Sequence, residues 1–361
     1  MADDFPADPS TTGQIVVGST TPGRIDSIDD SDWFAVDLSA GPFELDLVSL
    51  EGLLPSFSGL FDSAGDPVAA DLRRVFRDDE VVRYTFSIET PGDYFIEICA
   101  ADEFHPLYDY AIQLEQAVVK SGTPGTDWLL WEPGVDIIDG GAGIDMASFV
   151  DSSLRLRIDL DTGIVQMLGG GSDQPTITLT SIEGVTGSSF ADTFIGSEAD
   201  DRFRGLGGPD TFFGAAGADV IDGGDGRDTL RAGRFTLDSE DISLSLLRGR
   251  GWIGEAAGDR YANIEDVVSG FGDDILTGDH GDNHLDAQYG DDILIGNAGD
   301  DYLDGYWGND TAVFSYNADQ YLVTTSGFVT TVTYIGPGAG DGTDTLAHME
   351  NLQFADDLVV V

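Results

Sequence analysis

A repeat of nine residues constrains this chain more than any other feature. In the stretch GDDILIGNAGDDYLDG, which begins at Gly290, the same pattern of Gly, Asp and an apolar residue returns after nine positions. Units of this form run without interruption through residues 122–148, 187–231 and 269–313. Asp occupies the sixth position of every unit except one, where Asn283 replaces it. A strict short period predicts one structural unit repeated along the chain.

The residue types within the unit indicate what the repeat does. Glycine at the first and fourth positions allows a turn with positive φ, and it lets backbone carbonyl groups approach an ion. Aspartate supplies hard anionic oxygens, which suit Ca²⁺. The apolar residue two positions after the aspartate is expected to point into the core of a short strand. Two units then make one coil of 18 residues, so aspartates on one edge stack at every second unit.

This geometry predicts calcium ligands at three positions of the unit. At the sixth position they are Asp127, Asp136, Asp145, Asp192, Asp201, Asp210, Asp219, Asp228, Asp274, Asn283, Asp292, Asp301 and Asp310. At the fourth position they are Gly208, Gly217, Gly226, Gly272, Gly281, Gly290, Gly299 and Gly308, and at the fifth Asp273, Asp282, Asp291 and Asp300. Counting stacked pairs on the same edge gives about seven Ca²⁺ ions. Without metal, the stacked carboxylates would repel one another.

A longer repeat encloses the short one. The last sixth-position aspartates of the three runs, Asp145, Asp228 and Asp310, are 83 and 82 residues apart. Each is followed by a strand-like segment that leads to SIEGV at 181, NIEDV at 263 or MENL at 349. Residues 122–361 resemble RTX proteins, and in particular the C-terminal region of serralysin-type secreted proteases. The resemblance implies a calcium-binding parallel β-roll. The last residues, including Asp357 and Leu358, resemble a type I secretion signal, which implies export by that machinery to the cell surface or the medium.

The first part of the chain follows a different pattern. The segments FAVDL, FELDL, YTFSI, YFIEI and YAIQL alternate apolar and polar residues, which is typical of antiparallel strands with one buried face. Together they predict a β-sandwich. This part resembles the bacterial pre-peptidase C-terminal (PPC) domain. Its acidic opening, with Asp26, Asp29, Asp30 and Asp32, leaves two alternatives open: a calcium loop or a solvated acidic turn.

The predicted fold is therefore all-β, with an N-terminal jelly-roll-like β-sandwich followed by three parallel β-roll (RTX) modules with flanking β units. The expected division places the sandwich at residues 1–117 and a linker at 118–124. The three modules occupy residues 125–186, 187–268 and 269–361, and the last of them includes the secretion-type segment.

Composition limits the classes of partner. The chain has 361 residues and a net charge of −51, which disfavours nucleic acid and anionic membranes. The single cysteine, Cys99, excludes an intrachain disulfide, and it is expected to be a small apolar residue in a strand. No apolar run is long enough to span a bilayer, and the N-terminus lacks the pattern of a signal peptide.

The sequence contains no HExxH or GxSxG motif, so it identifies no catalytic residue. His280 and His284 are expected to be exposed loop residues. Three functions stay open. The first is a non-enzymatic calcium-binding protein that attaches to an extracellular polysaccharide or matrix protein. The second is an extracellular hydrolase or polysaccharide-active enzyme, or the accessory region of one. The third is a self-associating surface-layer or biofilm matrix protein.

Overall fold

A computed structural model describes residues 13–25, 31–49, 56–68, 73–76, 81–99, 108–169, 176–233, 241–327 and 329–360. The fold is all-β, as the sequence predicts. Contacts divide the chain into two compact units, the first made of residues 1–119 and 134–137 and the second of residues 120–133 and 138–361. Within the described residues, no helix combines the length and the apolar character needed to cross a bilayer.

The first unit contains two antiparallel sheets. Its strands are β1 (Gly13–Gln14), β2 (Ser19–Ile25), β3 (Ser31–Leu38), β4 (Gly41–Ser49), β5 (Ser56–Asp62), β6 (Arg73–Phe76), β7 (Val81–Ile88), β8 (Gly92–Cys99) and β9 (Tyr108–Gln116). One sheet has the order β1-β3-β8-β5 and the other β2-β9-β4-β7-β6, with β1 pairing parallel to β3. Their inner faces share one apolar core, so the predicted β-sandwich is confirmed.

The five alternating segments all lie in strands of this sandwich. In β3, for example, Phe34, Val36 and Leu38 are buried, as the period of two predicts. Cys99 is the last residue of β8, as expected for a strand position. Of the acidic opening, only Asp32 lies within the described residues; it is fully buried in β3 and accepts a hydrogen bond from Tyr110 Oη at 2.5 Å. Asp26, Asp29 and Asp30 lie outside the described residues.

The second unit is built from many short strands, of which β10 and β12 each have their first residue in the first unit. They are β10 (Val119–Ser121), β11 (Trp128–Leu130), β12 (Ile137–Asp139), β13 (Met146–Ser148), β14 (Arg155–Asp159), β15 (Ile164–Leu168), β16 (Thr176–Thr180), β17 (Gly184–Thr186), β18 (Thr193–Ile195), β19 (Arg202–Gly207), β20 (Thr211–Phe213), β21 (Val220–Asp225), β22 (Thr229–Arg231), β23 (Ser243–Ser245), β24 (Arg250–Ile253), β25 (Arg260–Ala262), β26 (Asp266–Val268), β27 (Ile275–Thr277), β28 (His284–Asp286), β29 (Ile293–Ile295), β30 (Tyr302–Asp304), β31 (Thr311–Val313), β32 (Tyr321–Ser326), β33 (Val329–Tyr334), β34 (Thr343–Ala347), β35 (Asn351–Gln353) and β36 (Leu358–Val360). Short 3₁₀ turns lie at Gly254–Ala256 and Ala318–Gln320.

These strands form two long sheets that share one narrow core. The first has the order β10-β12-β16-β15-β14-β18-β20-β22-β26-β28-β30-β34-β33-β32, and the second β11-β13-β17-β19-β21-β25-β24-β23-β27-β29-β31-β35-β36. Within the runs, strands two units apart pair in parallel register, as Thr193 with Thr211 and Arg202 with Val220. The predicted apolar positions, among them Phe212, Ile221 and Leu294, are fully buried. The 18-residue coil is therefore confirmed.

Antiparallel strands between the runs belong to the same two sheets. Strands β14, β15 and β16 pair antiparallel in the first sheet, and β23 pairs antiparallel with β24 in the second. Near the end of the chain, β32, β33 and β34 repeat this arrangement. After each insertion the chain returns to a parallel position, as β17 does beside β13 and β26 beside β22. The roll thus continues through its insertions as one pair of sheets.

Candidate calcium sites

The sixth-position residues stack along the two edges of the roll as predicted. In each pair, the backbone N–H of the earlier residue donates to Oδ1 of the residue 18 positions later, at 2.7 to 2.9 Å. The pairs are Asp127/Asp145, Asp192/Asp210, Asp201/Asp219, Asp210/Asp228, Asp274/Asp292, Asn283/Asp301 and Asp292/Asp310. Asp136 differs, because its Oδ2 accepts from the backbone N–H of Val118 at 2.8 Å. Each paired carboxyl group therefore completes the turn that precedes it.

The second oxygen of these carboxylates divides the turns into two kinds. In turns near the start of each run, the second-position residue donates its backbone N–H to the sixth-position side chain, at 2.5 to 2.7 Å. The donors are Thr123, Ser188, Ser197 and Asp279. In turns further along each run, the second-position residue instead has positive φ. Those residues are Gly141, Leu206, Ala215, Gly224, Gln288, Asn297 and Tyr306.

The later turns leave one carboxylate oxygen buried and without a hydrogen-bond partner. These Oδ2 atoms belong to Asp145, Asp210, Asp219, Asp228, Asp292, Asp301 and Asp310. They are the later members of the seven predicted pairs. Oδ2 of Asp274 is buried in the same way. A buried carboxylate oxygen without a partner is costly, and a bound cation would remove this cost.

Burial also shifts the proton equilibria of these side chains. Loss of solvation raises the pKa of Asp210, Asp219 and Asp292 to about 8, and neighbouring carboxylates add to the rise. The same cause raises the pKa of Asp301 to about 7. For Asp228, Asp274 and Asp310 the pKa rises to about 6. The apo fold therefore disfavours the ionised form that a metal requires.

First-position glycines pack closely against these oxygens. A Cβ added to Gly205 would lie 2.2 Å from Asp210 Oδ2 and 2.3 Å from the carbonyl oxygen of Gly223. The Gly205 Cα is thus packed against a carboxylate oxygen and a carbonyl oxygen, with no room for a side chain. At Gly296, a Cβ would lie 2.2 Å from Asp301 Oδ2. Glycine is needed here for room, and the expectation that first positions adopt positive φ is wrong.

Only some of the fourth-position glycines have the expected positive φ. Positive φ occurs at Gly208, Gly217, Gly272, Gly290 and Gly299, whereas Gly226, Gly281 and Gly308 do not have it. Close approach of backbone is the more general reason for glycine here. A Cβ on Gly308 would lie 1.6 Å from the carbonyl oxygen of Gly290, and one on Gly226 would lie 2.2 Å from that of Gly208.

The fifth-position aspartates form an outer row of exposed carboxylates. Asp273 Oδ1 accepts from the N–H of Asp291 at 2.8 Å, and Asp282 Oδ1 accepts from that of Asp300 at 2.8 Å. Donation runs from the later turn to the earlier one, opposite to the direction in the inner row. These carboxylates therefore fasten adjacent turns from the solvent side, and their role as calcium ligands remains a prediction.

The two histidines of HGDNH differ in position. His280 is exposed in the turn, as expected. His284 is half-buried in β28, and its ring meets Tyr302 edge-on with centroids 4.8 Å apart. The expectation of an exposed loop residue is wrong for His284, because the strand of its unit begins directly after Asn283.

The structure adds glutamates that the nine-residue period does not reveal. Glu183, Glu265 and Glu350 use Oε2 to accept the N–H of Asp145, Asp228 and Asp310, each at 2.8 Å. They occupy the place of the next aspartate, where each run meets its insertion. The recurring Ile-Glu and Met-Glu segments are the sequence signal for them. On the other edge, Asp259 and Asp344 accept from Asp219 and Asp301.

The donor set fits calcium better than a softer metal. Among the described residues, no three His, Cys, Asp or Glu side chains converge as a metal cluster. A bound ion would therefore take backbone carbonyls together with the free carboxylate oxygens, and Ca²⁺ accepts such mixed sets of six to eight oxygens. When bound, Ca²⁺ supplies the positive charge that the stacked carboxylates lack.

Comparisons with known proteins agree with this geometry. The family model of the RTX calcium-binding nonapeptide repeat matches in four copies, at residues 186–220, 195–230, 262–288 and 278–312. No curated protein matches the chain significantly. Among solved structures, the pre-peptidase C-terminal domain of a collagenase from Bacillus anthracis is similar at 15% identity and a TM-score of 0.24, covering 30% of this chain and 97% of that one. Residues 186–230 and 262–312 of the roll therefore consist of RTX calcium-binding nonapeptide repeats.

Proposed function

We propose that this chain is a secreted protein whose roll folds around calcium outside the cell and whose role is binding or adhesion. The buried, unpartnered Oδ2 atoms carry the proposal. Binding of a cation to the folded chain but not to the open chain contributes directly to folding free energy. Extracellular modules bind calcium with Kd on the order of 10⁻⁴ to 10⁻³ M, so cytosolic calcium would leave most sites empty.

We propose about seven ions, one for each stacked pair. Isothermal titration calorimetry in millimolar calcium should return a stoichiometry near this number. Two or fewer ions per chain would contradict the proposal.

A chelator experiment on the full chain tests the folding part. The sandwich has its own apolar core, so it should stay folded without metal. In EDTA, limited proteolysis should leave a protected N-terminal fragment of roughly 115 residues, while millimolar calcium should protect the whole chain. A C-terminal part that resists protease equally in EDTA and calcium would refute calcium-dependent folding.

Export is proposed to depend on the C-terminal segment. Strand β36 (Leu358–Val360) is an exposed edge strand, so truncation after Asp356 removes it while keeping Glu350 and β35. The truncated chain should remain in cells that carry a type I exporter, while the full chain reaches the medium. Calcium-dependent folding of the truncated chain in vitro serves as the control. Undiminished export of the truncated chain would place the signal elsewhere.

One observation favours self-association as a second candidate. Residues 320–340 contain no charged side chain, and β32 lies at the end of its sheet with Leu322 56% exposed and Val323 38% exposed. An exposed, uncharged edge strand is a template for pairing with another chain. Sedimentation in calcium should then show concentration-dependent assembly that Val323→Lys abolishes. A monomer at all concentrations would exclude this role.

A further inference from the structure

A groove crosses the outer face of the second sheet of the roll, beside the edge that carries Asp127 and Asp145. Its volume is about 280 Å³. Strands β11, β13, β17, β19 and β21 lie side by side beneath it. The residues that line it and bear on its chemistry are Trp128, Ile144, Met146, Thr186, Arg202 and Arg204.

The floor and one wall of the groove are apolar. Met146 and Arg202 flank Gly184 in the strand register. A Cβ on Gly184 would lie 2.3 Å from Met146 Sδ, so the thioether lies across this glycine and forms the floor. Trp128 is 67% exposed and Ile144 is 47% exposed. An exposed indole beside a shallow apolar floor is a surface on which a sugar ring can stack.

The opposite wall is basic, which is unusual in a chain of net charge −51. Arg202 and Arg204 are both exposed on the same face of β19, about 7 Å apart along the strand. Asp222 also lines the groove, and one of its carboxylate oxygens lies 3.7 Å from Arg204, so Arg202 is the arginine that can meet a second anion. Across the described part of the chain, no carboxylate forms a salt bridge with Arg202. Guanidinium groups presented in this way fit a carboxylate.

A buried hydroxyl supplies independent evidence of a ligand. Thr186 lines the groove and is only 6% exposed, and its Oγ1 has no hydrogen-bond partner. Leaving a buried hydroxyl unpaired costs free energy, and a ligand hydroxyl at this position would remove that cost. The groove therefore presents a stacking surface, a hydroxyl partner and a carboxylate partner.

We propose that this groove binds a uronic acid unit of an acidic polysaccharide. The carboxylate pairs with Arg202, the ring packs on Trp128, and a ring hydroxyl bonds to Thr186 Oγ1. An extended acidic peptide fits less well, because the main-chain groups of this sheet face are used in the parallel ladder, so a peptide backbone would find no partners. The net charge opposes polyanions at long range, but screening within about 8 Å at physiological ionic strength lets the local arginines act.

Titration with trigalacturonate in millimolar calcium tests the proposal. The methyl ester of the same trisaccharide serves as the uncharged control ligand. Wild-type protein should bind the acid at least tenfold more tightly than the ester. Arg202→Gln and Trp128→Ala should each weaken binding by about tenfold or more. Arg155→Gln and Trp252→Ala, which change exposed residues outside the groove, should leave binding unchanged.

Thr186→Val separates binding from folding. Because the hydroxyl is unpaired in the free protein, the nearly isosteric valine should keep or increase stability while weakening the sugar. Equal binding of the ester, equal loss in the two control variants, or no binding by folded wild-type protein would each overturn the proposal. Tighter binding of triglutamate with the same sensitivity to Arg202→Gln would assign the groove to an acidic peptide instead.

The site goes beyond the proposed function, because it assigns a ligand class to the roll and not to the sandwich. Circular dichroism of the same samples reports folding separately. A roll that is folded in EDTA and still binds the sugar would refute calcium-dependent folding and leave the groove proposal intact.

Discussion

At the scale of single residues, the turn requires that the first-position residue has no Cβ atom. The Gly205 Cα packs against Asp210 Oδ2 and the Gly223 carbonyl oxygen, both within 2.3 Å of the point that a Cβ would occupy. By contrast, a Cβ on Gly125, at the fourth position of the first unit, would meet only Thr123 Oγ1 at 3.8 Å. Gly125 therefore serves as an uncrowded control for Gly205.

Gly205→Ala is expected to lower the free energy of unfolding of the roll by about 3 kcal/mol in calcium, because the methyl group must displace backbone. Gly125→Ala should change it by less than about 1 kcal/mol. Urea unfolding followed by circular dichroism measures both. Equal stability of the two variants would show that the close packing around Gly205 does not require glycine.

The carboxylates allow charge to be separated from shape. Asp210→Asn keeps an oxygen for the N–H of Asp192 but removes a buried negative charge. It should therefore stabilise the calcium-free roll near pH 8 and raise the calcium concentration needed at the midpoint of folding. Asp127→Asn should raise that concentration less, because Asp127 Oδ2 already accepts from Thr123. Calcium titrations monitored by circular dichroism give both midpoints, and equal midpoints for the two variants would contradict a special role for the unpartnered oxygen.

At the scale of elements, the insertions are joined to the runs by glutamate. Asp228 is fully buried, and its N–H donates to Glu265 Oε2 at the point where β26 resumes the parallel sheet beside β22. Glu265→Ala leaves this donor without an acceptor, which should destabilise the roll by about 1–3 kcal/mol. Hydrogen exchange at the Asp228 amide should accelerate. Glu198→Ala, at an exposed turn position, should change neither quantity.

Most elements of the roll could be predicted from the nine-residue period alone. The glutamate joints, where each run meets its insertion, could not. The 18-residue coil, the buried apolar positions and the stacked aspartates all follow from an unbroken repeat. The glutamate joints do not, because Asp145 and Glu183 are 38 residues apart, Asp228 and Glu265 are 37 apart, and Asp310 and Glu350 are 40 apart. Insertions of unequal length destroy the periodicity on which the prediction depends. The positive φ of Leu206 and Tyr306 was also beyond prediction, since neither residue type favours it.

At the scale of the whole molecule, protons and calcium compete for the same carboxylates. In the folded chain without metal, Asp210, Asp219 and Asp292 have pKa values near 8, whereas an unfolded aspartate titrates near 3.9. The folded state therefore binds more protons between these values. Its stability should be greatest near pH 4 and should fall as pH rises towards 8.

With calcium bound, the carboxylates are ionised in both the folded and the unfolded state above about pH 5, so stability should be nearly flat. The gap between calcium and calcium-free samples should widen from about pH 5 to about pH 8. The folded fraction of the roll, followed by circular dichroism with and without calcium at several pH values, measures this gap, and Asp292→Asn should reduce the pH dependence in calcium-free buffer. A calcium-free roll that becomes more stable with rising pH would refute the linkage.

The parallel register also limits how the length of such a molecule can change over evolution. Because a strand pairs with the one 18 residues away, removing one whole coil moves every later strand to an equivalent place, with its aspartate on the same edge. Removing nine residues would transfer all later strands to the opposite sheet and set each joint glutamate against the wrong edge. Lengthening or shortening of the roll by gene duplication and loss should therefore proceed in whole coils, and related chains should differ by multiples of two repeat units.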